Sequence, residues 1–180
     1  MLSLTVDEDI TLQLANASFA PRYAELVAEC RDYLSPFLHW PRLCHTEDDF
    51  LMFIEGTLKK YENGESMVFG IVFRGEVVGN ISFNTINHKL KKVDIGYWLA
   101  EKYQGHGIIT RSCRFLIDYA FTELNLEKVQ IGAAVDNTAS RAVCERLGLM
   151  LEGVITNNEK VGERILDHAI YGIHSANVNS

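Results

Sequence analysis

The sequence predicts an α/β (α+β) fold, a mixed seven-stranded sheet flanked by about four helices. Three observations predict it. Apolar residues switch repeatedly between a period of two and a period of 3.6 along the chain. The segments run β, α, α, three strands, α, β, α, two strands, so hairpins cluster while crossover helices separate the remainder. No repeat, low-complexity tract or Ser/Pro/Gly-rich linker interrupts the 180 residues, which reads as a single domain over 1–180.

Ile10 to Leu14 alternates apolar and polar residues as a half-buried strand does. Ala20 to Arg31 carries Tyr23, Leu26, Val27 and Cys30 on one helical face. The aromatic stretch Asp32 to Pro41 is broken by two prolines and reads as a short turn and loop. Thr46 opens a second helix, with Glu47, Asp48 and Asp49 where the helix dipole favours acids, and Asn63-Gly64 ends it. Ser66 to Phe73 and Glu76 to Ile86 flank a tight turn at Arg74-Gly75, and Lys92 to Leu99 is a further strand. Ile109, Cys113, Leu116, Ile117, Ala120 and Leu124 share one face of a third helix. Lys128 to Val135 is strand-like, and Thr138 to Leu147 is a short helix stopped by Gly148. Leu149 to Thr156 and Arg164 to His174 complete the strands, with a loop over Asn157 to Gly162.

Composition narrows the function. The net charge of −7, from 17 basic and 24 acidic side chains, argues against sequence-independent nucleic-acid binding and is compatible with a cationic substrate. No apolar run approaches the roughly 18 residues of a membrane helix. The acidic start, without a basic segment ahead of an apolar one, gives no secretory signal, and a cytoplasmic location is expected. Cys30, Cys44, Cys113 and Cys144 form no CxxC, and no two histidines are three to five residues apart, so no metal site is expected. Cys113 and Cys144 fall within helical patterns as small buried apolar residues.

The chemistry-bearing segment runs from Tyr97 to Thr110, where a strand gives way to a glycine-bearing loop and then a helix. A helix N-terminus offers unpaired N–H groups and about half a positive charge, and glycines let a phosphate approach the backbone. The segment predicts an anion site, most simply for a pyrophosphate; two glycines serving only to turn the chain is the plainer alternative. The segment is neither GxGxxG nor a P-loop, because Thr110 follows Gly107 by three and no Gly-Lys-Ser/Thr is present. Asp136 to Arg141 lies at a second strand-to-helix junction, with Asn137 and Ser140 three apart; helix capping alone also accounts for those residue types.

Together, the DIGYWL strand, the QGHGI loop, the AAVDNTASRAVCERLGL stretch and the LEG strand start resemble the GNAT superfamily of acyl-coenzyme-A-dependent N-acetyltransferases over nearly the whole chain. LHWP at Leu38 to Pro41, ISFN at Ile81 to Asn84, IGYWL at Ile95 to Leu99 and QGHGII at Gln104 to Ile109 look most like the bacterial Rim-type ribosomal-protein N-terminal acetyltransferases. Ile109 departs from the wider Q/R-x-x-G-x-G/A pattern at its last position, which narrows the end of the loop.

The resemblance implies a mostly antiparallel, splayed sheet and acetyl-coenzyme A as cosubstrate. Backbone groups of Trp98 and Leu99 would pair with the pantetheine amides. Those of Gln104, Gly105, His106, Gly107, Ile108, Ile109 and Thr110 would hold the pyrophosphate. Asn137 would bond the pantetheine arm, and Ser140 would stand near the thioester sulfur.

Amine attack on a thioester needs a base for the amine, a donor for the oxyanion and a proton for the leaving thiolate. Ser140 is the expected donor to sulfur and Glu159 the expected base, acting directly or through water. Asp94 is the rival base, with a sheet-edge charge beside Lys91 or Lys92 as its plainer role. Phe37, His39 and Trp40 are the candidate acceptor wall. The expected reaction is direct transfer in a ternary complex to the N-terminal amine of a ribosomal protein. Transfer to a polyamine, aminoglycoside or amino acid stays open, as does an acyl-coenzyme A binding module without turnover. Exposed strand edges and the resemblance together suggest a homodimer.

Overall fold

The computed structural model describes residues 1–178. Eight strands form one sheet: β1 (Ser3–Thr5), β2 (Ile10–Leu14), β3 (Met67–Phe73), β4 (Glu76–Asn87), β5 (Lys92–Leu99), β6 (Lys128–Ala134), β7 (Met150–Val161) and β8 (Arg164–His174). Their spatial order is β1-β2-β3-β4-β5-β6-β8-β7, and of the neighbouring pairs only β5–β6 is parallel. The helices are α1 (Ala20–Leu34), α2 (Glu47–Glu62), α3 (Ile108–Thr122), α4 (Thr138–Arg146) and a closing turn α5 (Ser175–Val178).

The eighth strand is β1. Its three residues, with only Leu4 half-buried, are too short to show a period, and pairing of Leu4 with Leu12 makes the strand. The expected loop over Asn157 to Gly162 is also corrected. Residues to Val161 belong to β7, and the turn is the two residues Gly162 and Glu163. Thr156, Asn157 and Asn158 bulge between the pairs Ile155–His168 and Glu159–Leu166, with Asn157 at φ 50° and its N–H donating to Asp167 at 2.8 Å. A consecutive Asn pair therefore reads as a turn when it is a strand bulge. The first helix runs on from Arg31 to Leu34, across non-helical backbone angles at Cys30.

Each face of the sheet carries its own core. On one, α3 and α4 bury Ile109, Cys113, Leu116, Ile117, Ala120, Val143 and Cys144 against Val93, Ile95, Val129 and Ile131; Leu124, past the end of α3, is half-buried there. On the other, α1 and α2 bury Tyr23, Leu26, Val27, Phe50 and Ile54 against Val68 and Trp98. Arg31 donates to the carbonyls of Pro41 and, at 2.9 Å, of Cys44, which ties the α1–α2 segment to its own helix.

Thr46 caps α2 as part of a reciprocal box. The Asp49 N–H donates to Thr46 Oγ1 at 3.2 Å, and the His45 and Thr46 N–H groups donate to the Asp49 carboxylate at 2.8 and 2.9 Å. Those N–H groups hold the Asp49 carboxyl below its ordinary value. Because the folded value is the lower one, its contribution is present at neutral pH and is lost as pH falls through the folded value. Thr46→Ala is expected to cost about 1 kcal/mol in urea unfolding at pH 7, and the wild-type box to weaken progressively in acid. An unchanged urea midpoint would show that the cap contributes nothing.

Candidate active site

β5 pairs with β4 along its whole length, from Asn87↔Lys92 to Gly79↔Leu99, but with β6 only over Lys92–Asp94. Beyond Asp94 the two parallel strands part. The β6-side edge of Ile95–Leu99 is left without a strand partner, and Trp98 and Leu99 lie on it. An unpaired strand edge offers alternating donors and acceptors to an extended amide-bearing ligand.

At the end of β5 the chain makes a 3₁₀ turn over Glu101–Tyr103, then passes Gln104, Gly105, His106 and Gly107 into α3. Gly105 and Gly107 have φ of 85° and 67°, in the left-handed region that favours glycine. Gly107 caps α3 with no side-chain hydrogen bond, and the first helical bond runs from the Arg111 N–H to the Gly107 carbonyl. The amides ahead of Arg111, including those of Ile108, Ile109 and Thr110, therefore lack intrahelical acceptors. Ile108 and Ile109 themselves are buried, so only their backbone is offered. The His106 ring packs on Phe73 at 5.6 Å between centroids, which leaves its backbone as the loop's contribution.

Two arginines that sequence reasoning missed frame this loop. Arg111 donates to the His106 carbonyl at 3.1 Å and pairs with Asp7 at 2.7 Å, fixing the loop to the β1–β2 turn. Arg146, in the last turn of α4, donates to Thr110 Oγ1 at 3.3 Å and brings a cation to the same helix end. Neither belongs to a local motif; only packing of α4 beside α3 assembles them.

On the α3–α4 side of the split, Asn137 accepts the Ser140 N–H at 3.2 Å as the α4 cap. Ser140 Oγ lies 2.6 Å from the Tyr97 hydroxyl. Burial first, and the neighbouring Cys113 next, push the Tyr97 phenol far above its ordinary value, while the Ser140 bond opposes them. Tyr97 therefore keeps its proton, and either hydroxyl can be the donor in the bond it shares with Ser140. From sequence alone Tyr97 reads only as a packed strand residue.

On the opposite face lies a cleft of about 380 Å³. Leu38, Trp40, Phe50 and Phe53 form its wall, while Asn80, Ser82, Asn84 and Gly96 form its floor. Trp40 packs edge-on to Phe50 at 6.1 Å and tilted against Trp98 at 5.6 Å between centroids. Asn84 is the bulged residue of β4, between the pairs Phe83–Ile95 and Thr85–Asp94, and its side chain lies where a Cβ on Gly96 would stand. Trp40 thus reaches the cleft. His39 is exposed, and Phe37 packs on Val161 and Leu166 beyond it.

The two candidate carboxylates are separated by the split. Asp94 sits at its closed end, where burial pushes its carboxyl up against the opposing influence of Lys92, Lys128 and Gln130. Glu159 sits on β7 with Oε2 3.2 Å from Nε2 of His168.

This geometry accommodates a coenzyme A thioester: an amide-pairing edge leads to a basic helix N-terminus at one end and to a hydroxyl pair at the other. The profile of the acetyltransferase (GNAT) domain matches residues 10–150. The chain belongs to the GNAT acetyltransferases. It is an acetyl-coenzyme-A-dependent N-acetyltransferase. It is 37% identical over 154 residues to the putative ribosomal N-acetyltransferase YdaF of Bacillus subtilis, covering 85% of this chain and 84% of that one. The solved structure of RimL, a ribosomal L7/L12 alpha-N-protein acetyltransferase in complex with coenzyme A, superimposes with a TM-score of 0.92 at 28% identity, covering 96% and 98% of the two chains. The microcin C7 self immunity acetyltransferase MccE, in complex with acetyl-CoA and AMP, superimposes with a TM-score of 0.90 at 29% identity, covering 94% of each. Among the described residues of this GNAT chain no three His, Cys, Asp or Glu are grouped to hold a metal ion, and no helix is long and apolar enough to cross a membrane.

The thiols bear on the route of transfer. Cys113 is fully buried and its thiol is pushed far up by that burial; burial likewise raises Cys144 to about 11. Neither is a thiolate at neutral pH. Mass spectrometry after mixing with acetyl-coenzyme A alone is expected to find no acetyl group on either cysteine. A stoichiometric acetyl-cysteine would establish a two-step route instead.

Proposed function

We propose that this enzyme acetylates the N-terminal α-amine of a ribosomal protein by direct attack in a ternary complex. The observation that carries the reading is the placement of unlike groups on the two faces: the Ser140–Tyr97 hydroxyl pair on one, and an aromatic-walled cleft with no carboxylate in its lining on the other. The bound cosubstrate supplies a thioester carbonyl for the amine to attack. Trp98 and Leu99 offer it backbone partners, the amides from Gln104 to Thr110 and the side chain of Asn137 hold its anionic and pantetheine parts, and Ser140 gives the departing sulfur a proton. Glu159 provides the negative charge that draws a proton from the acceptor; Asp94, at the closed end, is the weaker choice.

The acceptor class follows from charge and basicity. No residue lining the cleft is an Asp or Glu, which disfavours a polycation held at several points. An α-amine, with a pKa of about 7.7–8.0 against about 10.4 for a lysine-type amine, needs far less help to lose its proton. The names of YdaF and RimL, both ribosomal acetyltransferases, support the same acceptor. In this reading residues 1–180 act as one cytoplasmic domain. The protein is a homodimer in the same reading, and the exposed Met150, Leu151, Val154 and Ile155 of the edge strand β7 supply an apolar surface for it.

Thiol release across peptides beginning with Ser or Ala, spermidine and an aminoglycoside tests the acceptor, with the peptides expected to turn over fastest. Preference for spermidine would overturn it. In the peptide assay Ser140→Ala is expected to lower kcat by roughly 10²- to 10⁴-fold while coenzyme affinity stays near wild type. Wild-type turnover in that variant would remove Ser140 from proton transfer.

A further inference from the structure

His168 lies on β8, opposite Ala134 of β6 and Ile155 of β7. Its two ring nitrogens face different surroundings. Nε2 is 3.2 Å from Glu159 Oε2, whereas Nδ1 lies over Gly132, 3.7 Å from where a Cβ on that residue would be. Gly132 is exposed, and it belongs to the part of β6 that has already left β5. The imidazole therefore stands between the Glu159 carboxylate and the open floor of the split. It is 17% exposed where Glu159 is 40% exposed, so the carboxylate is the outer member and the ring the inner one.

We infer that His168 is the group that takes the proton from the acceptor amine, and that Glu159 acts through it as a positioning residue. This rests on the α-amine acceptor proposed above. Of the two tautomers, the one with its proton on Nε2, the nitrogen 3.2 Å from the Glu159 carboxylate, keeps its lone pair on Nδ1, above Gly132. An ammonium acceptor loses two protons in becoming an amide. One passes to Nδ1 and on to solvent. As the N–C bond forms and the C–S bond breaks, the second leaves the adduct nitrogen by the same ring to solvent; the thiolate takes the Ser140 proton and Ser140 regains one from solvent, so that amide, thiol and one free proton result. The imidazolium that forms is held by the Glu159 charge at its other nitrogen.

No competing charge crowds the ring. From β6 the facing residues are Gly132 and Ala134, and from β7 they are Ile155 and Glu159; Leu166 and Ile170 flank it along β8. Asp167 is engaged by the Asn157 N–H, and Arg164 is paired with Asp136 at 2.7 Å above the Phe37 ring. Asp94, with Lys92 and Lys128 about it, is at the closed end.

The test compares pH profiles of kcat/KM for wild type, His168→Gln and Glu159→Gln on a peptide that the wild type acetylates. Coenzyme affinity is measured alongside as the control for folding. The expected wild-type profile has an acid limb that depends on His168. His168→Gln is expected to lose the limb and about 10²- to 10⁴-fold in kcat with KM and coenzyme affinity unchanged. Glu159→Gln is expected to keep a limb displaced to lower pH, with a smaller loss. Ring titration of His168 by NMR should show the same downward displacement in Glu159→Gln. Wild-type kcat and an intact limb in His168→Gln would overturn the inference. So would a limb abolished by Glu159→Gln but kept in His168→Gln, since the carboxylate would then be the base by itself. Failure of wild-type protein to acetylate any peptide would instead overturn the acceptor assignment.

Discussion

Two strands that run parallel for three residue pairs and then separate are the constraint on which this molecule depends. Within the sheet a backbone amide is satisfied by its neighbour, and leaving a row of such groups unpaired is costly unless something else pairs with them. Here β5 and β6 part beyond Asp94, with a core on each face of the sheet. The same parting gives the two faces of the sheet access to one gap. The α3–α4 face presents the Ser140–Tyr97 hydroxyl pair, and the α1–α2 face presents a cleft walled by Leu38, Trp40, Phe50 and Phe53.

Much of this was readable from residue order. Alternation in Lys92 to Leu99, the capping residues at Thr46 and the glycines at 105 and 107 each act locally, so their signals survive in the sequence. The loop from Gln104 to Thr110 lies in one continuous stretch and was legible for that reason, whereas Asn137 and Ser140 come from a second strand-to-helix junction. The cleft on the other face was not legible. Its wall comes from α1, α2 and the segment between them and its floor from β4 and β5, while the Glu159–His168 pair is brought together across β7 and β8 beside a bulge. Glu159 could be picked out by residue type, but His168 looked like a polar interruption in an apolar strand. Nine positions separate them in the chain, and no period relates them. Placing Glu159 in a loop also hid its partner, because a residue across a strand pair is predictable whereas a loop residue's neighbours are not.

The bulges do related work in both halves. Asn84 in β4 and Thr156 to Asn158 in β7 each insert residues without a partner, and each sits beside a group that faces the gap. A regular ladder would send alternate side chains to fixed faces; an inserted residue resets that alternation and re-aims the side chains beyond it. The Asn157-Asn158 bulge of β7 is read from sequence as a loop, whereas Asn84 lies within a segment read as continuous strand.

The loop ahead of α3 is tied to the β1–β2 turn. Arg111 holds the His106 carbonyl with one arm of its guanidinium and Asp7 with the other, so the shape of the loop is anchored by a residue only six positions from Met1. Loss of the Asp7 carboxylate would free the Arg111 guanidinium and slacken the loop ahead of α3, while both cores, which include neither side chain, stay intact. Weaker retention on an immobilised nucleotide column, at an unchanged melting temperature, is how such a lesion would register.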